Sequence, residues 1–384
     1  MVTFQYVLCH LLLLLISYIS CLNIKDSSSD KAYWKYSSIP IIVYTLEEGL
    51  RWGRDIDWCA YSYEYEQLGK GVDTGHEYLF QKLWFFFSFL GLSYPFVVTI
   101  CTFVVIFSFF YFIQPYRKYT YLIIPLLIAW SGPKTINFIR WFFALSFVLI
   151  GLRRFLDGKR KSGLCLAFCC SFLHLGTLPL AILTIIISRF KRIIIKPYVA
   201  IIISIILVVM FNVEFLKHFS NVFVVFSNFE RMSSYGQDPN FWLSAKFERK
   251  GIEDYLATMI PFYLYLYYGH KYKQDSQDSH DSFLCNMAVV GLIVRSVSSG
   301  IELLDRYAIS FDIFFVILSV WCYYYLKNNW HKKHFYKIIS AIVIATFALQ
   351  VYKFYKPLDN EIKMHYYWDS NLPPAERIAP FYEI

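Results

Sequence analysis

Several polar side chains stand within or beside long apolar runs, where hydrophobic packing alone does not explain them. They are Arg51, Asn137, Arg140, His174 and Arg295. A charged group at the centre of a bilayer costs about 3 kcal/mol or more unless it faces a partner or a water-filled cavity. We therefore treat these residues as candidates for a functional site.

Arginine suits an anionic ligand, because its planar guanidinium binds phosphate oxygens through two parallel hydrogen bonds. Asn137 and Arg140 are three residues apart, which predicts that they share one helix face. Asn137 fits the N-cap of a helix equally well. His174 is compatible with proton transfer, substrate contact or a hydrogen bond between helices. For a single arginine at a helix end, contact with lipid headgroups is the alternative explanation.

The segment 49–61 combines charged and aromatic residues directly after an apolar run. Aromatic faces accommodate sugar rings, and a carboxylate can accept the proton of a sugar hydroxyl. We predict a surface for sugar and phosphate, with Asp55, Asp57 and then His174 as candidate catalytic bases. A loop whose acids and arginines pair with one another is the alternative. The predicted substrate-binding residues are Arg51, Arg54, Tyr61, Asn137, Arg140, Arg231, Tyr235, Arg249, Arg295 and Arg306.

The elements that carry these residues are apolar enough to lie in lipid. Of the 384 residues, 57% are hydrophobic and 17% are charged, which is too apolar a balance for one soluble domain. A hydrocarbon layer of about 30 Å needs about 20 apolar residues per helix. The sequence predicts an all-α polytopic membrane protein with about 10–12 transmembrane helices. The apolar runs are 4–22, 37–50, 80–113, 120–131, 137–152, 162–188, 197–213, 251–269, 282–301, 306–326 and 335–352.

Short basic loops indicate the orientation, because Lys and Arg are retained on the cytoplasmic side. Basic clusters at 153–161 and 189–196 flank the run 162–188, so one simple span would place them on opposite sides. A helix broken near His174 and Gly176 resolves the conflict, since two half-helices can enter the membrane and return. We therefore predict a broken-helix hairpin with both basic loops in the cytoplasm.

This topology predicts one polytopic membrane domain over residues 1–384. The segments 51–79 and 213–250 and the C-terminal tail 353–384 then lie outside the cytoplasm, and the candidate arginines gather on that side. Arginines on this side run against the usual charge bias, and an anionic ligand there would explain them. The formal charge of +9 is spread over short loops, which argues against a nucleic-acid partner.

Short motifs in this chain resemble the EpsG-like branch of the Wzy-type polysaccharide polymerases, and the resemblance covers most of the sequence. The tail Ala379-Pro-Phe-Tyr-Glu-Ile384 is similar to aromatic, proline-bearing tails of that family. The motifs are Gly49-Leu-Arg51 with Asp57 and Tyr61, Glu77-Tyr-Leu-Phe80 with Gly91, Asn137-Phe-Ile-Arg140 with Ala144, and Phe172-Leu-His174.

The resemblance implies the architecture of lipid-carrier, GT-C-like glycosyltransferases in the bacterial inner membrane. The implied substrates are undecaprenyl-pyrophosphate-linked oligosaccharides, joined outside the cytoplasm into a longer glycan. Arginines would neutralise the leaving pyrophosphate, so we expect no obligatory metal and no cofactor. A chain-length regulator and a flippase are the expected protein partners.

Two other classes of protein stay open at the level of sequence. A flippase or transporter would use the broken helix as a site near the middle of the membrane, although no inverted repeat is visible. Another membrane transferase for lipid-linked glycans is the second. An O-acetyltransferase would be expected to carry a His/Arg cluster near the first span, which contains only His10 and no arginine.

Overall fold

The computed structural model describes residues 4–27, 29–52, 56–190, 192–210, 252–273, 279–298, 302–330, 334–355 and 365–366. These residues are almost entirely helical, and the predicted all-α class is confirmed. Two short strands, β1 (Arg51–Trp52) and β2 (His365–Tyr366), pair in antiparallel orientation.

Fifteen α-helices follow one another along the described residues. They are α1 (Phe4–Lys25), α2 (Asp30–Gly49), α3 (Ile56–Gly69), α4 (Tyr78–Phe89), α5 (Tyr94–Ile113), α6 (Thr120–Asn137), α7 (Ile139–Leu156), α8 (Arg160–Leu173), α9 (Leu178–Ser188), α10 (Pro197–Met210), α11 (Ile252–Lys273), α12 (Ser279–Val297), α13 (Glu302–Ser310), α14 (Asp312–Asn329) and α15 (His334–Tyr355). Short 3-10 helices at Gln114–Tyr119 and Leu175–Thr177 connect α5 to α6 and α8 to α9.

The helices form two compact units, residues 1–185 with 349–384 and residues 186–348. In the first unit α7 packs on α5 and α8, α2 packs on α1 and α5, and α1 packs on α6. In the same unit α4 packs on α3 and α8. In the second unit α11 packs on α14, and α10 packs on α12. The expectation of one membrane domain stays a prediction.

Glycines let α7 and α8 approach closely. A Cβ on Gly151 would lie 2.6 Å from the carbonyl oxygen of Gly163 and 2.6 Å from the amide nitrogen of Ala167. A Cβ on Gly163 would lie 2.7 Å from the carbonyl oxygen of Gly151. Side chains at these positions would force the two backbones apart. The close packing matters for function because the start of α7 faces the end of α8, where Trp141 meets His174.

The predicted break near His174 is confirmed. His174 has φ −155° and ψ 104°, which ends α8, and the 3-10 helix from Leu175 to Thr177 leads into α9. That α8 and α9 enter and leave the membrane as a hairpin, with both basic loops in the cytoplasm, stays a prediction.

Two elements differ from the sequence-based expectation. The segment 51–79 contains helix α3, which was not predicted because the segment is polar and rich in tyrosine and glutamate. Its buried residues Trp58, Ser62, Tyr65 and Leu68 nevertheless follow helical spacing. The run 80–113 consists of two helices, because Gly91 adopts φ +73° in the turn between α4 and α5.

Among the residues that the structure describes, two helical stretches are long and apolar enough to cross a membrane, Tyr6–Lys25 and Tyr94–Trp130. Shorter apolar helical stretches occur at Leu175–Ser188, Pro197–Met210 and His334–Ala345. The larger number of spans expected from the sequence stays a prediction.

Candidate functional site

Charged and imidazole side chains surround Arg140 at the start of α7. We call Glu64, His76, Glu77, Arg140 and His174 the Arg140 cluster. Arg140 is only 8% exposed. Its Nη2 donates to Oε2 of Glu77 at 2.5 Å, and its Nη1 donates to Nδ1 of His76 at 2.8 Å. The two partners of Arg140, His76 and Glu77, therefore come from the segment between α3 and α4.

Glu77 links Arg140 to the helix break. Its second carboxylate oxygen, Oε1, accepts a hydrogen bond from the backbone N–H of Leu175 at 3.0 Å and lies 3.8 Å from Nδ1 of His174. Burial raises the pKa of Glu77, but the hydrogen bond from Leu175 and the charge of Arg140 outweigh burial and lower the pKa below its usual value of 4.5. The carboxylate is therefore ionised at neutral pH. Through Arg140 and Leu175 it connects the start of α7 to the helix break.

His76 connects a second carboxylate to the same arginine. Its Nε2 lies 2.7 Å from Oε2 of Glu64, while its Nδ1 faces Arg140. Nη1 of Arg140 lies 2.8 Å from Nδ1 and 3.2 Å from Nε2 of the same ring. His76 therefore lies between Glu64 and Arg140 and contacts both.

The position of His174 is set by the backbone of the break and by an aromatic ring. Its Nδ1 accepts the N–H of Gly176 at 3.2 Å, which leaves the ring proton on Nε2. The ring of Trp141 meets it edge-on with 5.1 Å between centroids. A Cβ on Gly176 would lie 2.8 Å from the Trp141 ring, so a larger residue does not fit there. With the ring proton on Nε2, His174 can donate a hydrogen bond from that atom.

Aromatic rings form a wall beside the guanidinium. Arg140 lies 4.5 Å from the ring centroid of Phe80 and 5.8 Å from that of Tyr61. Phe80 in turn packs on Trp84, with 4.2 Å between the ring centroids. Such contacts favour a cation, so the wall stabilises the charge of Arg140 in a largely buried position.

An open cavity of about 540 Å³ adjoins the Arg140 cluster and shares His76 with it. This volume lies in the range typical of sites for small ligands. Its polar lining includes Asp73, Gln81 and Lys82, and Tyr78 contributes an aromatic surface. The cavity therefore offers charge, hydrogen-bond donors and a ring, which are the features that sugars and phosphates require.

The structure brings together some of the predicted residues. Arg140 and His174 meet through Glu77, and Tyr61 lies beside Arg140. Arg51 is 1% exposed, and its Nη1 donates to the carbonyl oxygen of Glu48 at the end of α2. It is therefore an interior residue rather than one of an open outer surface.

Two predictions about Asn137 were wrong. It is the last residue of α6, and Phe138 occupies the N-cap of α7 with φ −93° and ψ 52°. Asn137 and Arg140 therefore belong to different helices and do not share one helix face. The kink at Phe138 could not be read from a continuous apolar pattern.

Other predicted residues lie elsewhere. Arg295 belongs to the second unit, where its Nη2 donates to Oδ1 of the buried Asp312 at 2.5 Å and its guanidinium lies 4.3 Å from the Phe262 ring. Arg306 is also in that unit, in α13, partly exposed. Arg54, Asp55, Arg231, Tyr235 and Arg249, and the side chains of Asp57 and Asn137, lie outside the described residues.

Sequence reasoning missed Glu64, His76 and Glu77 as site residues. Glu77 opens the motif Glu77-Tyr-Leu-Phe80, which already carried the family resemblance. The charge of Arg140 was a further signal for an acidic residue nearby, because a buried arginine requires an acidic or dipolar partner.

The described residues define a helical protein with long apolar stretches and a buried arginine–carboxylate–imidazole cluster beside an open cavity. The chain matches the EpsG family over residues 34–367 and belongs to that family, as the sequence motifs predicted. This membership indicates a membrane protein of polysaccharide biosynthesis. Neither the curated proteins nor the solved structures that were compared contain a match.

Proposed function

We propose that this chain joins lipid-linked oligosaccharide repeat units into a surface polysaccharide, by glycosyl transfer at the outer face of the bacterial inner membrane. Membership in the EpsG family supports the pathway. The observation that supports transfer chemistry is the Arg140 cluster, because it holds a buried cation next to an open cavity. Undecaprenyl-pyrophosphate-linked oligosaccharides are the proposed substrates.

The proposal places the chain in the membrane as a multi-pass protein. Besides the two long apolar stretches, exposed apolar side chains form stripes along single helices. On α1 they are Leu8, Leu11, Leu15 and Ile19, and α10 exposes Ile202, Ile205, Ile206 and Val209. Stripes of this kind are unfavourable in water and suit a helix that contacts lipid.

In the proposed reaction a hydroxyl of one lipid-linked unit attacks the anomeric carbon of the glycan on another. The new glycosidic bond forms, the bond from the anomeric carbon to the pyrophosphate oxygen breaks, and lipid pyrophosphate leaves with the electron pair. The hydroxyl proton passes to a base. Negative charge therefore develops on the leaving oxygen, and a fixed cation nearby lowers the barrier.

Arg140 is the residue we propose for that charge. Its Nε is buried and makes no hydrogen bond within the described part of the chain, so a donor remains after Glu77 and His76 are bound. His174 offers the Nε2 proton as a further donor to the anion. Glu77 positions both residues, and its lowered pKa makes it a poor proton acceptor.

The proposed base is an aspartate of the segment before the cluster. Asp57 stands one helical turn before Tyr61 in α3, and Tyr61 lies beside Arg140. Asp55 precedes α3 by one residue. We propose that one of these two carboxylates accepts the hydroxyl proton as the general base.

Deleting the gene in its host tests the function. We expect long polymer to disappear and single lipid-linked repeats to accumulate on the outer face, where an added glycosidase can cleave them in intact cells. Expression of the intact chain restores the polymer. Repeats that accumulate only inside, protected from the glycosidase, would instead assign the chain to transport.

A further inference from the structure

A second cluster of ionisable side chains lies between α1 and α2, apart from the residues of the Arg140 cluster. His10 comes from α1, and Glu47 and Glu48 come from the last turn of α2. His10 and Glu48 are fully buried, and Glu47 is only 7% exposed. Two adjacent carboxylates inside an apolar helix pair therefore need a compensating charge.

The donor atoms of this cluster have the spacing of metal ligands. Nδ1 of His10 lies 3.4 Å from Oε1 of Glu47 and 3.3 Å from Oε1 of Glu48. One ligand atom from each residue lies within 4.8 Å of the other two. Around a tetrahedral zinc ion with bonds of about 2.0–2.1 Å, neighbouring ligand atoms are about 3.3–3.4 Å apart. The two imidazole–carboxylate distances match that spacing.

Glu47 gives an independent indication of a missing ligand. Both of its carboxylate oxygens are buried without a well-formed hydrogen bond from the described residues, since Nδ1 of His10, with which Glu47 pairs, lies 3.4 Å from Oε1. A buried carboxylate without hydrogen bonds is strongly unfavourable. A divalent cation shared with Glu48 and His10 would satisfy these oxygens, and its two positive charges would balance the two carboxylates.

We propose that His10, Glu47 and Glu48 bind a divalent cation of the zinc class. One imidazole nitrogen and two carboxylate oxygens form a mixed ligand set that suits Zn²⁺. The hydroxyl of Tyr6 donates to Oε1 of Glu48 at 2.8 Å, which is the kind of contact that orients a metal-binding carboxylate. Three protein ligands leave one position of a tetrahedral site for water.

The cation joins α1 to the end of α2. That end carries Arg51, whose guanidinium donates to the carbonyl oxygen of Glu48. The ion therefore fixes the helix pair and the position of Arg51. It takes no part in the transfer step, for which the sequence predicts no metal, and the inference does not depend on the proposed function. Sequence spacing gave no signal, because His10 and Glu47 are far apart along the chain.

Metal content after refilling tests the proposal. The full chain, purified in detergent, is treated with EDTA, incubated with ZnCl₂ and freed of unbound metal, and zinc is measured by inductively coupled plasma mass spectrometry. We expect about one zinc per chain. His10→Ala and Glu47→Gln should lose most of it, whereas the matched controls His270→Ala and Glu66→Gln, outside the cluster, should retain it.

A measurement on the unmodified chain covers the case in which the variants fail to fold. CoCl₂ added to the EDTA-treated chain should produce the intense visible absorption of tetrahedral Co²⁺, and ZnCl₂ should remove it. A chain that takes up neither metal would overturn the proposal and indicate a protonated His10 between two carboxylates. Zinc content in His10→Ala equal to that of the unmodified chain would also overturn it.

Discussion

Replacing Arg140 with alanine is expected to reduce polymer synthesis in cells by at least about 100-fold, the loss typical when one preorganised donor to a developing anion is removed. Arg140→Lys keeps the charge but cannot reproduce the two-sided contacts with Glu77 and His76, so we expect it to remain strongly impaired. Polymer length on gels and the amount of single lipid-linked repeat are the measurements.

Arg153→Ala is the matched control for this prediction. Arg153 lies on the same helix and pairs with Asp157 at 2.9 Å, away from the cavity. We expect the control to keep the normal distribution of polymer lengths. Immunoblots of the membrane fraction show whether each variant accumulates, since the loss of Arg140 leaves Glu77 without its cation. Normal polymer in Arg140→Ala would contradict the assigned role.

Replacing Gly151 or Gly163 with valine is expected to destabilise the first unit by about 2 kcal/mol or more, because overpacking a close contact forces the backbones apart. The added side chain would begin 2.6–2.7 Å from atoms of the facing helix. The unfolding temperature of the purified chain in detergent measures the effect. We also expect polymer synthesis to fall, because α7 carries Arg140 and α8 ends directly before His174.

Cys165→Val provides the control on α8. Cys165 is exposed, so this variant places the same β-branched side chain on α8 at a position that does not meet α7. We expect an unfolding temperature close to that of the unmodified chain. If Gly163→Val and Cys165→Val unfolded at the same temperature, the close approach of α7 and α8 would not be a determinant of stability.

Local sequence signals predicted some parts of the site. The break at His174 follows from glycine and proline inside an apolar run, and the structure ends α8 at that point. Arg140 was identified because a charge in an apolar setting is unfavourable without a partner. In both cases the signal lies in a few neighbouring residues, so no knowledge of the packing was needed.

The partners of these residues could not be predicted, because they come from distant parts of the chain. Glu77 lies 63 residues before Arg140 and 98 residues before Leu175, and both of its contacts depend on how α4, α7 and α8 pack. The kink at Phe138 likewise separates Asn137 from Arg140 although the apolar pattern continues through it. Periodicity describes single helices and carries no information on which helix ends meet.

Reconstitution of the purified chain tests the central claim most directly. Liposomes containing the chain are supplied with undecaprenyl-pyrophosphate-linked repeats whose glycan is labelled, without any nucleotide sugar. The account predicts lipid-linked products of two or more repeats, with one lipid pyrophosphate released for each new bond, and their loss with Arg140→Ala. Repeats that cross the bilayer without becoming longer would contradict it.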